Sequence, residues 1–301
     1  MKLKHICTLS VLLAAGVMIL GVCQSWRFLH KPLSDSKIIL RMAVPYADAH
    51  PSTLTASYFA DLVRTRTDDR IQIQVFPNTR LGNESETIEQ LEFGGIAFSI
   101  VCTLALEEEY VISAANPLSD QPEHTVLLLP DKNALDHTRL ETLAVLYPDL
   151  RCIANNKYPL KVPVPLTPEN QKRLVIQAHD SDLLKRHLTS LGVLAVQSQE
   201  KDLAGSLNYG YIDGIELTLA EYTASNLSGL LPYLSVTEGL LAPDMILASQ
   251  VSMGNLTAAD QNIIRSCAAD AAAYQEKILK GQQTSALKTL QPLYLNAGGS
   301  S

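Results

Sequence analysis

The sequence predicts an α/β protein made of two successive α/β units and a long C-terminal helix. Three observations carry this. Short apolar runs of period two alternate with amphipathic stretches of period 3.6 between Lys37 and Val101. The alternation resumes after Pro148, and an Ala-rich stretch after Thr257 holds one apolar stripe at helical spacing. The 301 residues suffice for one large or two medium cores. Hydrophobic residues make up 47% and charged residues 18%, a globular composition. A formal net charge of −7 leaves no basic footprint, so neither nucleic acid nor an anionic membrane surface is an expected partner of the domain.

The chain opens on a targeting segment. Met1–His5 carries Lys2 and Lys4, and Ile6–Cys23 is an uncharged run of about 18 residues. The positive flank stays inside and the rest is expected outside the cytoplasmic membrane. Leu20-Gly21-Val22-Cys23 resembles a lipoprotein box, with Val22 where Gly, Ala or Ser is usual. Lipidation at Cys23 and an uncleaved anchor are both open, and either tethers the protein. Gln24–Ser36 reads as a polar spacer.

In the first unit Ile38–Val44 is a strand. Ser52 is placed to cap a helix with Leu54, Tyr58, Leu62 and Val63 on one side. Ile71, Ile73 and Val75 then share one face of a strand broken by Pro77 and Asn78. Glu84–Phe93 is a helix with Glu84 and Glu86 in its first turn, the sign that suits the N-terminal dipole, and Gly94 is placed for a left-handed end. Ile96–Val101 is an apolar strand. Strands separated by helices predict a largely parallel sheet.

In the second unit Arg151–Asn155, Arg173–Ala178, Val193–Val196 and Tyr211–Glu216 read as strands, with helices at Asp182–Ser190 and Lys201–Tyr209. Pro243–Val251 is extended again. Thr257 caps the final helix with Asp260 at its third position, and Gly281 is read as its end. The expected organisation is residues 38–146 plus about 235–256 for domain I, 147–234 for domain II and 257–301 for the helical segment. Cys102, Cys152 and Cys267 lack the spacing of a zinc site or disulfide framework and are expected as buried thiols.

Several strings share one resemblance. Pro77, Leu81-Gly82, Glu84 and Gly94-Gly95 fall in a strand–turn–helix pattern. Leu166-Thr167-Pro168-Glu169-Asn170 precedes the RLVIQ strand, and Asp213-Gly214-Ile215-Glu216 follows at the expected distance. Together these resemble solute-binding proteins of the TRAP transporter (DctP) family. The resemblance implies a periplasmic-binding-protein-like fold: two α/β domains joined by crossing hinge strands, a solute in the cleft between them, and closure by a hinge motion. It implies no chemistry on the solute and no cofactor. The implied partners are a small-molecule ligand and the membrane subunits of a TRAP permease, with the receptor a monomer. A signalling or orphan binding protein that presents its ligand to a sensor is the alternative.

The family's strand arginine, which clamps a ligand carboxylate, is Gln177 here, and the asparagine after Asp-Gly-x-Glu is Leu217. A neutral amide hydrogen-bonds a carboxylate without neutralising it. Arg151 lies near a second cleft arginine of some sialic-acid and related members; its other reading is a solvated surface arginine. The same alignment places Pro45, Tyr46, Glu84, Cys102, Thr103, Glu200 and Glu216 at the cleft. Each has a structural reading too: Glu84 as a helix cap, Glu216 as a turn support, Tyr46 as packing. Three acidic candidates without an assigned arginine tilt the pocket toward a neutral or cationic ligand. Rival chemistry has little to stand on. The chain lacks G-x-S-x-G, H-E-x-x-H and nucleotide-binding fingerprints. His179 and His187 are two helical turns apart with no third ligand at metal spacing, and Glu107-Glu108-Glu109 reads as a solvated loop.

Overall fold

A computed structural model describes residues 37–106, 111–115, 126–160, 173–197, 203–225, 227–237 and 239–295. The chain divides into Met1–Lys37 and Ile38–Ser301, and every element described belongs to the second unit. The leader with Cys23, the spacer, Glu107-Glu108-Glu109, Leu166–Asn170 and Glu200 lie outside the described residues. Among the described residues no helix is long and apolar enough to cross a membrane.

Strand β1 (Ile38–Ala43) runs through helix α1 (Pro51–Arg66) into β2 (Ile71–Phe76), which pairs with it in parallel from Ile38↔Ile71 to Ala43↔Phe76. Helix α1 starts one residue before the expected cap. His50 is the N-cap, its side chain accepting from Ser52 N, because Pro51 suits the first helical position, where no N–H partner is required. Its buried face overlaps the expected one only in part: Val63 is buried and Leu62 packs on the core as expected, Ala56 and Phe59 are buried beside them, and Leu54 and Tyr58 are more than a third exposed. Phe59 meets Phe98 edge-on at 5.4 Å in the core of this half.

Helix α2 (Glu84–Phe93) has the expected bounds. Asn83 and Glu86 form a reciprocal capping box, and Gly94 takes φ +75° at the C-cap. Strand β3 (Phe98–Cys102) is buried throughout. Next come β4 (Val111–Ala115), β5 (Val126–Pro130), the short α3 (Lys132–Leu135) and β6 (Leu140–Val145). Strands β4 and β5 pair with each other, and with β12 (Leu240–Leu241) they make a small third sheet.

The second sheet takes β7 (Arg151–Asn155), β8 (Val175–Gln177), β9 (Leu194–Val196), β10 (Gly214–Thr218) and β11 (Tyr233–Val236), in the order β11-β7-β10-β8-β9. Helices α4 (Asp182–Ser190), α5 (Leu203–Asn208) and α6 (Leu219–Ala224) accompany it. The first sheet has the order β2-β1-β3-β13-β6, where β13 (Asp244–Ser249) returns to lie antiparallel to both β3 and β6. Each sheet is therefore mixed by one reversed strand, with the other four pointing the same way: β13 runs against β1, β2, β3 and β6 in the first, and β7 against β8, β9, β10 and β11 in the second. Side-chain period reveals a strand but not its direction.

A short α7 (Gln250–Gly254) leads into α8 (Ala258–Leu295), a helix of 38 residues. Thr257 Oγ1 accepts from Asp260 N, as the sequence predicts. Gly281 does not end the helix. A glycine inside a helix costs about 1 kcal/mol, and tertiary contacts beyond it outweigh that: Gln283 donates to Asp149, and Ala286 and Leu287 pack on the core of the second sheet. Helix α8 lies along α1 and β6 with its first part and reaches α6 with its second. Between them Gln275 bonds both the N–H and the C=O of Tyr147, in the link from β6 to β7.

Candidate functional site

A cavity of about 520 Å³ opens where the ends of the two large sheets meet. The first sheet contributes the residues after β1 (Pro45, Tyr46, His50), Glu84 at the start of α2, and Cys102 at the end of β3. The second contributes Arg151 at the start of β7, Gln177 and His179 at the end of β8, and Glu216 to Thr218 at the end of β10. Because β7 runs antiparallel to β10, its first residue lies at the same edge as the last residues of β8 and β10. Ligand crevices in α/β proteins form at such carboxyl ends.

Arg151 is buried, so the surface-arginine reading fails. It pairs across the sheet with Thr218, which makes Glu216 its diagonal neighbour on the same face. Arg151 Nε donates to Glu216 Oε1 at 2.5 Å and Nη2 to Oε2 at 2.7 Å, a bidentate pair with side chains only 5% and 1% exposed. Burial opposes the guanidinium's charge, and Glu216 outweighs it, so the arginine's pKa is raised.

Glu84 is no helix cap. Its Oε1 accepts from Cys102 N at 2.7 Å, and its Oε2 meets His179 Nε2 at 2.8 Å. This ties the first sheet's half to the second across the cavity. Burial works against the imidazolium, and the hydrogen bond and charge of Glu84 prevail, raising the His179 pKa. His179 Nδ1 is buried without a partner.

Tyr46 both lines the cavity and holds its wall. Its hydroxyl donates to Asp244 Oδ1 at 2.7 Å, Ser52 Oγ donates to Oδ2 at 2.6 Å, and the ring stacks on His50 at 4.0 Å. Burial lifts Asp244 to about 7 despite these two hydrogen bonds. Burial also lowers His50 to about 3, so its ring is neutral. Since His50 Nδ1 accepts from Ser52 N, the ring proton sits on Nε2, and that donor has no partner in the structure. Glu221, in the capping box of α6, also reaches the cavity, its pKa raised by burial.

The cavity thus gathers Pro45, Tyr46, Glu84, Cys102, Arg151, Gln177, Glu216 and Leu217 from the sequence-based set. Thr103 is a correction. The chain turns into a 3-10 helix after Cys102, and Thr103 is fully buried away from the cavity lining. Leu217 is another in part. It pairs with Cys152 on the sheet face opposite Glu216 and packs in an apolar cluster with Cys152, Leu219 and Tyr222, so it borders the cavity without a polar group. Cys102, Cys152 and Cys267 are buried and unpaired, as expected. Sequence reasoning missed His50, His179, Glu221 and Asp244. The two histidines had a usable signal, since His50 precedes a helix-starting proline and His179 lies two residues past Gln177.

The sequence matches the family described as bacterial extracellular solute-binding protein, family 7 (DctP), over residues 42–111 and 132–296. A solute-binding protein of Chromohalobacter salexigens is 25% identical over 301 residues, covering 95% of this chain and 83% of the relative. Among solved structures, a TRAP periplasmic solute binding protein from Bordetella bronchispeptica superposes with TM-score 0.70 at 24% identity, covering 85% of this chain and 86% of that one. The sugar acid binding protein DctPAm from Advenella mimigardefordensis, in complex with galactonate, gives TM-score 0.71 at 20% identity over 85% and 84% of the two chains. A TRAP periplasmic solute binding protein from Pseudomonas putida F1, with bound D-glucuronate, gives 0.70 at 17% identity over 85% of each. With a family match over most of its length and a cleft between two mixed sheets, this chain belongs to family 7 of the bacterial extracellular solute-binding proteins.

Proposed function

We propose that the protein is the extracytoplasmic receptor of a TRAP-type transporter, tethered through its N-terminal segment, and that it captures a small solute in the cavity between its two large sheets. The carrying observation is the Glu84–His179 contact across a cavity walled by both halves. A site assembled from two halves is complete only when they close, so solute binding and closure are linked. Handover to a permease then needs reopening and no chemistry on the solute. The structural neighbours carry galactonate and D-glucuronate, hydroxylated carboxylic acids whose hydroxyl groups a cavity of this size can accommodate.

Closure is the property to measure. Fluorophores at Phe93 and Tyr209, both more than three-quarters exposed and on opposite halves, report the separation of the halves. Addition of a bound solute is expected to change transfer efficiency with the same concentration dependence as calorimetric binding. A protein that binds solute with no such change would contradict the receptor reading. Cells deprived of the chain are expected to lose uptake of that solute and regain it when the exported chain is restored.

A further inference from the structure

Every cation that lines the cavity among the described residues already has a carboxylate partner. Arg151 is held by Glu216 at both its Nε and Nη2, and His179 by Glu84. His50 is neutral. Glu221 lines the cavity with no cationic partner, its carboxylate capping the Thr218 N–H. Gln177 stands where an arginine would have added a positive charge. A carboxylate entering this cavity finds each cation already paired and one carboxylate, Glu221, without a cation of its own.

The unsatisfied atoms describe what does fit. His50 Nε2–H is a buried donor with no acceptor, on a residue 4% exposed. Gln177 Oε1 is a buried acceptor with no donor, and His179 Nδ1, protonated when the ring is an imidazolium paired with Glu84, is a second donor without an acceptor. An ammonium group would satisfy the acceptor and leave both donors stranded, and a carboxylate would satisfy the donors and leave the acceptor stranded. A hydroxyl both donates and accepts, so a row of hydroxyls completes the donors and the acceptor together. The Tyr46 ring, stacked on His50 at the wall, offers a flat apolar face beside them.

Resting on the receptor reading above, we infer that the solute is an uncharged polyhydroxylated molecule, a sugar or polyol without a free carboxylate, read by His50, Gln177 and the Glu84–His179 pair. This separates the chain from a binder of sugar acids while retaining the hydroxyl recognition.

The test is a thermal-shift and calorimetric comparison of the purified full-length chain with two solute collections. The first holds matched sets: neutral sugars and alditols, the corresponding aldonic and uronic acids, and the corresponding amino sugars. The second holds dicarboxylates, keto acids, amino acids and betaines. The neutral member of a matched set is expected to bind at least about 100-fold more tightly than its acid, the scale of an unneutralised buried charge. Gln177→Met is expected to weaken the neutral solute about tenfold, by removing a hydrogen-bonding amide at near-constant volume, with the melting temperature of the solute-free protein unchanged. Tightest binding by an acid, by an amino sugar or by any member of the second collection overturns the solute class and leaves the receptor reading standing. A protein stabilised by no member of either collection overturns the receptor reading, and the solute class with it.

Discussion

Glu216→Gln removes one charge from the most deeply buried ion pair of the cavity and leaves the side-chain shape intact. The guanidinium of Arg151 stays behind in a site where its side chain is 5% exposed, with an amide in place of a carboxylate. Removing one partner of a buried pair costs roughly 3–5 kcal/mol, whereas an exposed pair contributes roughly 0.2–1 kcal/mol. At about 2–4 °C per kcal/mol for a domain of this size, the expected fall in melting temperature is roughly 6–20 °C. The orphaned Arg151 is also a new anion site at the cavity. Galactonate or D-glucuronate at about 100 times its dissociation constant would return about 2.7 kcal/mol. Differential scanning fluorimetry with and without these acids reads both effects. The variant melts lower and recovers with acid, and the wild type does not respond. A loss below about 1 kcal/mol would place the pair with exposed ones, and an equal acid response in both proteins would refute the claim that Glu216 keeps Arg151 from an entering carboxylate.

Three further outcomes follow from particular residues. Gly281→Ala is expected to stabilise the protein by about 1 kcal/mol in thermal or urea unfolding, because α8 continues through this position and an added Cβ meets nothing within 4 Å. Gln177→Arg is expected to gain binding of D-glucuronate in calorimetry, whereas Leu217→Asn buries an amide in the apolar cluster around Cys152 and should cost about 2–4 kcal/mol, so that the pair together melts below Gln177→Arg alone. For pH, Asp244 at about 7 against an ordinary 3.8 stays protonated in the fold while the unfolded chain ionises, so its contribution falls as pH rises from about 4 to 7. His50 at about 3 against an ordinary 6.5 stays neutral in the fold while the unfolded chain is protonated, so its contribution rises from about pH 3 to 6.5. These opposed slopes cancel over most of that window, and Asp244→Asn should unmask a stability that climbs with pH in urea titrations. An unchanged pH profile in that variant would contradict the buried, uncharged state of Asp244.

Local signals are legible in the sequence where local physics decides. The α2 bounds, its left-handed Gly94 and the Thr257 cap of α8 follow from residues within a turn of each other, and β7 is legible to the residue. Elsewhere a distant partner decides. The Gln283–Asp149 bond carries α8 past Gly281, and α1 turns Phe59 inward, leaving Tyr58 to meet Tyr274 of α8. Strand direction is not legible, because period two is the same in parallel and antiparallel sheets. In the site, residues at strand ends are found from their place along the chain. Their pairings are not, since Arg151 and Glu216 are 65 positions apart and Glu84 and His179 are 95.

The Asp213-Gly214-Ile215-Glu216 run shows how solute class can change while the fold is kept. Asp213 Oδ2 accepts from Val175 N and so fixes β8 beside β10. Gly214 is required because a Cβ there would lie 2.1 Å from the carbonyl oxygen of Ala154 on β7. Glu216 then fastens Arg151 at the start of that same strand. Three of these four residues thus assemble the β7–β10–β8 core, with structural roles that hold whichever solute is bound. The charge balance of the cavity rests instead on Gln177 and His179, at the mouth of β8, where a side chain changes without disturbing a strand pairing. Adding or removing a cation there alters what the cavity accepts and leaves the sheet, the β6–β7 link and α8 untouched. We therefore propose that the end of β8 tunes the solute class of this chain, on a scaffold that Arg151 and Glu216 hold in place.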